Sequence, residues 1–307
     1  MTLIESLKKL PELQKTYLEI LEVHDKEVPI ANLLAFFFRN KEVHGLGDLF
    51  IKSLLKTKIY ELDIKKYPYS TDTLISQGNT EKEQQLMFNS ISNVKVETEV
   101  KTSKDKDNNK RIDILIDTDK FVICIEFKIN HKLNNPLETY KHHIAKTYKD
   151  SDKQIFYIVL TPSKKVAYVS NTESYLEKNK IFKQMIIGHF IKNIQNELPS
   201  NFKESESFKY YNDFIQTIQN REIRYKRSLL LERINSFLIK NRIKSKYHNE
   251  NKGGFIQIDK INYSLKIRIK NKEFQFETWI KKKEKIIKRH LNLDTSLEEI
   301  LRNVNNL

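Results

Sequence analysis

Cysteine is all but missing from this chain. Its 307 residues include one, Cys124, which excludes an intrachain disulfide and any disulfide-stapled secreted scaffold. Glycine and proline are scarce at six each, so collagen-like and Pro-rich low-complexity architectures are excluded too. No apolar run approaches the ~20 residues of a membrane-spanning helix. The first residues, MTLIESLKKLPELQ, lack the charged-then-apolar layout of a secretory signal. There is no P-loop, no GxGxxG, no HExxH and no paired CxxC, and no repeat of fixed period. Adjacent His142 and His143 would diverge on a helix and make a poor metal pair. These absences lead us to expect a chain of a reducing compartment, the cytoplasm, with no membrane partner.

An excess of acid is also lacking. Lys and Arg number 55 against 40 Asp and Glu, a net charge of +15. The imbalance is local: from Arg221 onward there are 22 Lys and Arg against 10 Asp and Glu. A basic surface gathered at one end suits a phosphate-rich partner. With 39% hydrophobic and 31% charged residues, the chain can build a real core. The polar stretch 200–207 is a natural divider. It gives an expected first domain at 1–199 and a basic, helical and antiparallel-hairpin region at 208–307.

The most informative stretch is RIDILIDTDKFVICIEFKI, from Arg111 to Ile129. Two β-branched apolar runs flank the polar turn Asp117–Lys120, which predicts a β-hairpin. Three ionisable groups interrupt them: Asp113, Glu126 and Lys128. Alternation puts Glu126 and Lys128 on one face. A two-residue turn at Thr118 and Asp119 would set Asp113 opposite Cys124 and diagonal to Glu126, on that same face. A slip of one residue would reverse the faces and scatter the group. Two buried carboxylates repel unless a positive charge sits between them. Lys128 supplies one, and a magnesium or manganese ion would supply more, since hard cations prefer carboxylate oxygens. Such a site suits hydrolysis of a phosphodiester.

An acid, a turn and then Glu-x-Lys on the next strand resembles the PD-(D/E)xK nuclease superfamily. The upstream stretch His44-Gly45-Leu46-Gly47-Asp48 is similar to a motif in a bacterial branch of it. The resemblance implies a restriction-endonuclease-like α/β core with a central mixed sheet flanked by helices. It implies Asp113, Glu126 and Lys128 as catalytic residues, with Asp113 and Glu126 binding the metal. The family often carries a further acid on a helix before the sheet. None stands within Ala31–Phe38, so Asp48 is its stand-in, with capping of the next helix as its alternative role. His44 either contacts a phosphate or bonds a turn carbonyl. Tyr140 matches a tyrosine of the family's following helix, while Pro136 replaces the glutamine one turn earlier. Duplex DNA is the first-choice substrate on this resemblance and RNA the second, with bacterial defence against foreign DNA as the setting. The alternative is an inactive nucleic-acid-binding module on the same scaffold, or a subunit that joins a copy of itself or another protein.

In the basic region, LKIRI and FQFETWI alternate and predict a small antiparallel sheet with Lys266, Arg268 and Lys270 on one face. The run from Lys281 through Lys282 and Lys285 to Arg289 reads as a basic helix that joins them in binding nucleic acid. Thr295 to Glu298 fits a capping box, and Trp279 is expected in the core.

Overall fold

In the computed structural model the described residues are 13–62, 72–89, 91–102, 110–129, 132–162, 167–168, 180–248, 254–259, 263–270, 273–280, 285–292 and 295–305. Residue contacts divide the chain into two units, Tyr17–Ile215 and Gln216–Leu307 with the stretch up to Thr16. The division falls inside one continuous helix, Phe208–Lys240, and not in the polar stretch 200–207.

The larger unit is built on a six-stranded mixed sheet. Its strands are β1 (Ile59–Glu61), β2 (Lys95–Lys101), β3 (Arg111–Asp117), β4 (Phe121–Phe127), β5 (Gln154–Thr161) and β6 (Phe182–Ile186). Their spatial order is β1-β6-β5-β4-β3-β2. β2, β3 and β4 form an antiparallel meander, β4 and β5 pair in parallel, as do β5 and β6, and β1 closes one edge antiparallel to β6. The β4–β5 connection carries helix α1 (Leu137–Thr147), as a parallel pair requires. This is the mixed α/β arrangement expected from the sequence. β4 is buried along its whole length, which is why its sequence reads FVICIEF without polar alternation.

The tip of the hairpin turn lies at Asp119 and Lys120, one residue later than expected, and its register differs. Ile114 faces Ile125, Leu115 faces Cys124 and Asp117 faces Val122, two residues away from the expected pairing. Thr118 holds the turn: its N–H donates to the Phe121 carbonyl (3.0 Å), and its hydroxyl accepts from the Phe121 N–H (3.0 Å). A shift of two leaves every face as it was. Continued by one step, the observed register brings Asp113 directly opposite Glu126.

Helix α2 (Glu27–Phe38) and helix α3 (Leu49–Leu55) precede the sheet. Aromatic packing ties them: the Phe37 ring stacks on Phe50 at 4.7 Å, and Phe38 on Phe190 at 5.9 Å. Between them, Gly45 and Gly47 take left-handed φ of +70° and +54°, which glycine adopts without cost. The turn they make folds over His44, whose ring lies against Phe36 and Phe37.

The smaller unit holds a five-stranded antiparallel sheet: β7 (Lys246–His248), β8 (Phe255–Asp259), β9 (Tyr263–Lys270), β10 (Glu273–Ile280) and β11 (Lys285–Asn292). β9 to β11 pair in sequence order. The basic run was expected to be helical, but Lys285–Asn292 is the edge strand β11. Its lysines fit an edge, where charge discourages further pairing. Lys282 lies outside the described residues. One face of the sheet packs Ile256, Leu265, Ile267, Phe274 and Phe276 against Leu231, Ile234 and Leu238 of the long helix and Ile300 of the last helix, Leu297–Asn305. That helix is capped one residue later than expected: the Glu299 N–H donates to Ser296 Oγ at 3.1 Å.

Trp279 is not in this core. It is 48% exposed on the opposite face, in phase with Gln275 and Glu277. Glu99 stands out on β2. It sits at φ +54° where the β2–β3 pairing skips a step across from Asp113, and it lines a cleft there.

Candidate active site

At the open end of the hairpin the sheet loosens. The Phe127 N–H donates to Asp113 Oδ2 at 2.7 Å. β4 then runs on to Lys128, whose N–H donates to the Leu160 carbonyl at 2.9 Å. These bonds fix the backbone on both sides of Glu126, which is fully buried.

Lys128 is the hub. Its Nζ donates to Glu27 Oε2 at 2.8 Å and forms an ion pair with Glu126 Oε1 at 2.9 Å. The Glu126 contact is short but badly aligned for a hydrogen bond, and neither Glu126 oxygen has a hydrogen-bond partner among the described residues. Glu27 also accepts from the Ile129 N–H through Oε1 at 3.1 Å. One carboxylate at the start of α2 thus grips both the side chain and the backbone at the end of β4.

A buried carboxylate without donors is costly, and the protonation preferences reflect it. Burial pushes the Asp113 carboxyl up to about 6, with Glu27 and Glu99 adding to the rise and Lys128 opposing it. Burial likewise pushes Glu126 well above the carboxylate range, and Asp113 adds to this. Burial pulls the Lys128 ammonium down, but Glu126 and Glu27 more than reverse the effect and hold it above the ordinary lysine range. Cys124, at the centre of the same strand, is buried and pushed far above its usual value, as befits an inert thiol.

Glu27, Glu99, Arg111, Asp113, Lys128 and Tyr140 line a cleft of about 430 Å³, together with Asn135 and Pro136. Arg111 is held by Glu99 at 3.2 Å. Pro136 occupies the N-cap position of α1 and makes no side-chain bond there. Tyr140 reaches the cleft from α1, but it is only 2% exposed and packs with Leu137, Ile144 and Cys124.

The structure thus gathers Asp113, Glu126 and Lys128, and it adds Glu27, which the sequence reading passed over in favour of Asp48. The Asp48 carboxylate turns instead to Lys52 at 2.8 Å and makes no capping bond. It is not among the residues that line the cleft. His44 is 1% exposed and fully employed: its Nε2 meets the Arg39 carbonyl at 2.9 Å, and its Nδ1 accepts the Leu46 N–H at 2.9 Å. Burial holds its pKa below the usual histidine value. It pins the glycine turn and has no nitrogen left for a phosphate. In the smaller unit, Lys266 and Arg268 lie over the Phe255 ring at 4.8 and 4.9 Å. Lys270 and Arg289 are exposed, although Arg289 sits opposite Phe276, out of phase with Lys266. Lys285 takes part in β11 through its backbone.

Among the described residues no three or more His, Cys, Asp and Glu side chains are gathered so as to hold a metal. The donor set at the hairpin is a carboxylate pair: Asp113, and Glu126 with its buried, unbonded oxygens. That chemistry fits a hard divalent ion, which takes one or two protein carboxylates and fills its shell with water and phosphate oxygens.

On this mixed α/β sheet Asp113 and Lys128 line the cleft, with Glu126 buried beside them. The sequence signature of the PD-(D/E)XK nuclease superfamily matches residues 16–292, and the chain belongs to that superfamily. No curated protein and no solved structure shows significant similarity to it. Among the described residues no helix is long and apolar enough to cross a membrane.

Proposed function

We propose that the protein is a metal-dependent nuclease that hydrolyses phosphodiester bonds in DNA, with duplex DNA as its first substrate. The observation that carries this reading is the pairing of Asp113 with Glu126 beside a lysine gripped by Glu27. Asp113 and Glu126 would hold magnesium or manganese. When bound, the ion supplies positive charge against the phosphate and lowers the pKa of water.

The chain's own residues do the rest. Lys128 keeps its proton between two carboxylates, so it orients the attacking water and faces the charge that grows on the phosphate. Glu27 sets the height of that ammonium and locks the strand beneath it. Arg111 and Lys110, on the cleft wall, meet the neighbouring phosphates. The basic smaller unit holds the nucleic acid. Bacterial defence against foreign DNA goes with such an activity, and loss of phage restriction in a site variant is its test.

Plasmid digestion in magnesium tests the enzymatic reading. Lys128→Ala and Asp113→Asn should each lower the rate by about 10²–10⁴-fold. Undiminished cleavage by both would end the assignment. A second reading, an inactive nucleic-acid-binding module, draws on Pro136 in place of the family's glutamine. Calorimetry separates the two: an enzyme takes up magnesium at the carboxylate pair, while a pure binder holds DNA equally well without it.

A further inference from the structure

The outer face of the five-stranded sheet takes no part in the chemistry above. Register settles what stands on it. Across β10 and β9, Trp279 faces Ser264, Glu277 faces Lys266 and Gln275 faces Arg268. On β8, Phe255 lies under Lys266 and Arg268, and the His248 ring of β7 stacks on it at 4.7 Å, nearly parallel. The other face of these strands is the apolar core. Aromatic rings and cations therefore alternate on one pleated surface.

The acids of this face are occupied. Asp259 accepts from Ser264 (2.6 Å) and Gln257 (2.9 Å), Glu273 meets His290 at 3.0 Å, and Glu277 lies 3.6 Å from Lys288. Among the described residues no carboxylate pairs with Lys246, Lys266 or Lys270. The face therefore carries uncompensated positive charge beside an indole that is 48% exposed. A tryptophan gains most by burial, so this one is placed where a planar partner can cover it. Lys266 stands one pleat from Trp279, about 7 Å along the strands. A base on the ring would bring its own phosphate to that ammonium. Paired bases in a duplex hide their faces in the stack, whereas unpaired bases offer them.

We propose that this sheet face is a stacking platform for single-stranded nucleic acid, with Trp279 taking a base and Lys266 and Lys270 the backbone. The proposal rests on the nucleic-acid reading above and deepens it: the smaller unit holds an unpaired strand, while the duplex is the substrate of the hairpin site.

Trp279 is the chain's one tryptophan, so its emission reports on this face alone. The full chain, kept in EDTA to prevent hydrolysis, is titrated with oligothymidylate, oligouridylate and a blunt duplex. Both single strands should quench the emission, and the duplex should bind more weakly. Trp279→Ala should weaken single-strand binding by about 5–150-fold, the worth of one stacked base, while Trp279→Phe keeps most of the affinity. Lys266→Ala with Lys270→Ala should weaken it further and flatten its salt dependence. Unmoved emission at saturating oligonucleotide, unaltered affinity in Trp279→Ala, or equal binding of polyglutamate would each overturn the platform. Quenching without plasmid cleavage by the wild type would remove the enzymatic reading and leave this one standing. Cleavage without quenching would do the reverse.

Discussion

Replacing Asp113 by Asn should make the metal-free protein more stable at neutral and alkaline pH. The Asp113 carboxyl prefers its proton up to about 6, against 3.8 for an unperturbed side chain. A group raised on folding stabilises fully below its unfolded value, and that contribution is lost as pH rises through the folded value. By about pH 8 the ionised carboxylate therefore costs roughly 3 kcal/mol relative to the unfolded chain. Asparagine keeps an oxygen to accept the Phe127 N–H and carries no charge. Burying its amide costs about 1 kcal/mol, which leaves a net gain of about 2 kcal/mol. For a unit of this size the melting temperature should rise by roughly 4–8 °C. Near about pH 4.5 the wild-type carboxyl is mostly protonated, and the gain should shrink toward zero. Differential scanning calorimetry in EDTA at both pH values makes the comparison. Saturating magnesium should close the gap and slightly reverse it, by stabilising the wild type by about 2.7 kcal/mol at a hundredfold excess over Kd, with no such response from the variant. A gain that does not change with pH, or a loss at both values, would refute the reasoning about a frustrated carboxylate.

The remaining predictions concern the neighbours of that group. Glu27→Gln keeps an acceptor for Ile129 but removes one charge from Lys128; cleavage should fall about 10–100-fold with little change in melting temperature, the cost of a positioning partner. Glu27→Ala also orphans the Ile129 N–H, and denaturant titration should show a further loss of about 1–3 kcal/mol. His44, held neutral by burial, should make stability decline as pH falls below 6.5 toward its lowered folded value, because only the unfolded chain takes the proton there. His44→Ala should abolish that slope in urea melts and cost about 1–3 kcal/mol by stranding the Leu46 N–H.

The hairpin could be read from residues alone because its information is local. Asp113, Glu126 and Lys128 fall on one short stretch, and alternation decides their face. The turn lies one residue later than expected, which shifts the pairing by two, an even slip, so the faces survive. Glu27 escaped because it meets Lys128 across 101 positions in the chain. Helical spacing says nothing of such a contact. One signal was there: Glu27 opens a helix, two positions before Pro29 and ahead of a long apolar run. Asp48 looked better only because it sits beside the glycine turn. The misread basic strand has the same root. A lysine-rich run has no apolar period to betray its geometry, and its pairing with β10 alone makes it a strand. Trp279 shares the phase of Gln275 and Glu277, and that parity, not the size of its ring, decides its face.

Cys124 sits mid-strand between Leu115 and Tyr157, sealed from solvent. A folded chain should therefore ignore alkylating reagents, and a cysteine placed anywhere on the surface would become a unique handle for a dye or spin label. The native sulfur then acts as a silent clock, since its slow modification would time each opening of the central sheet.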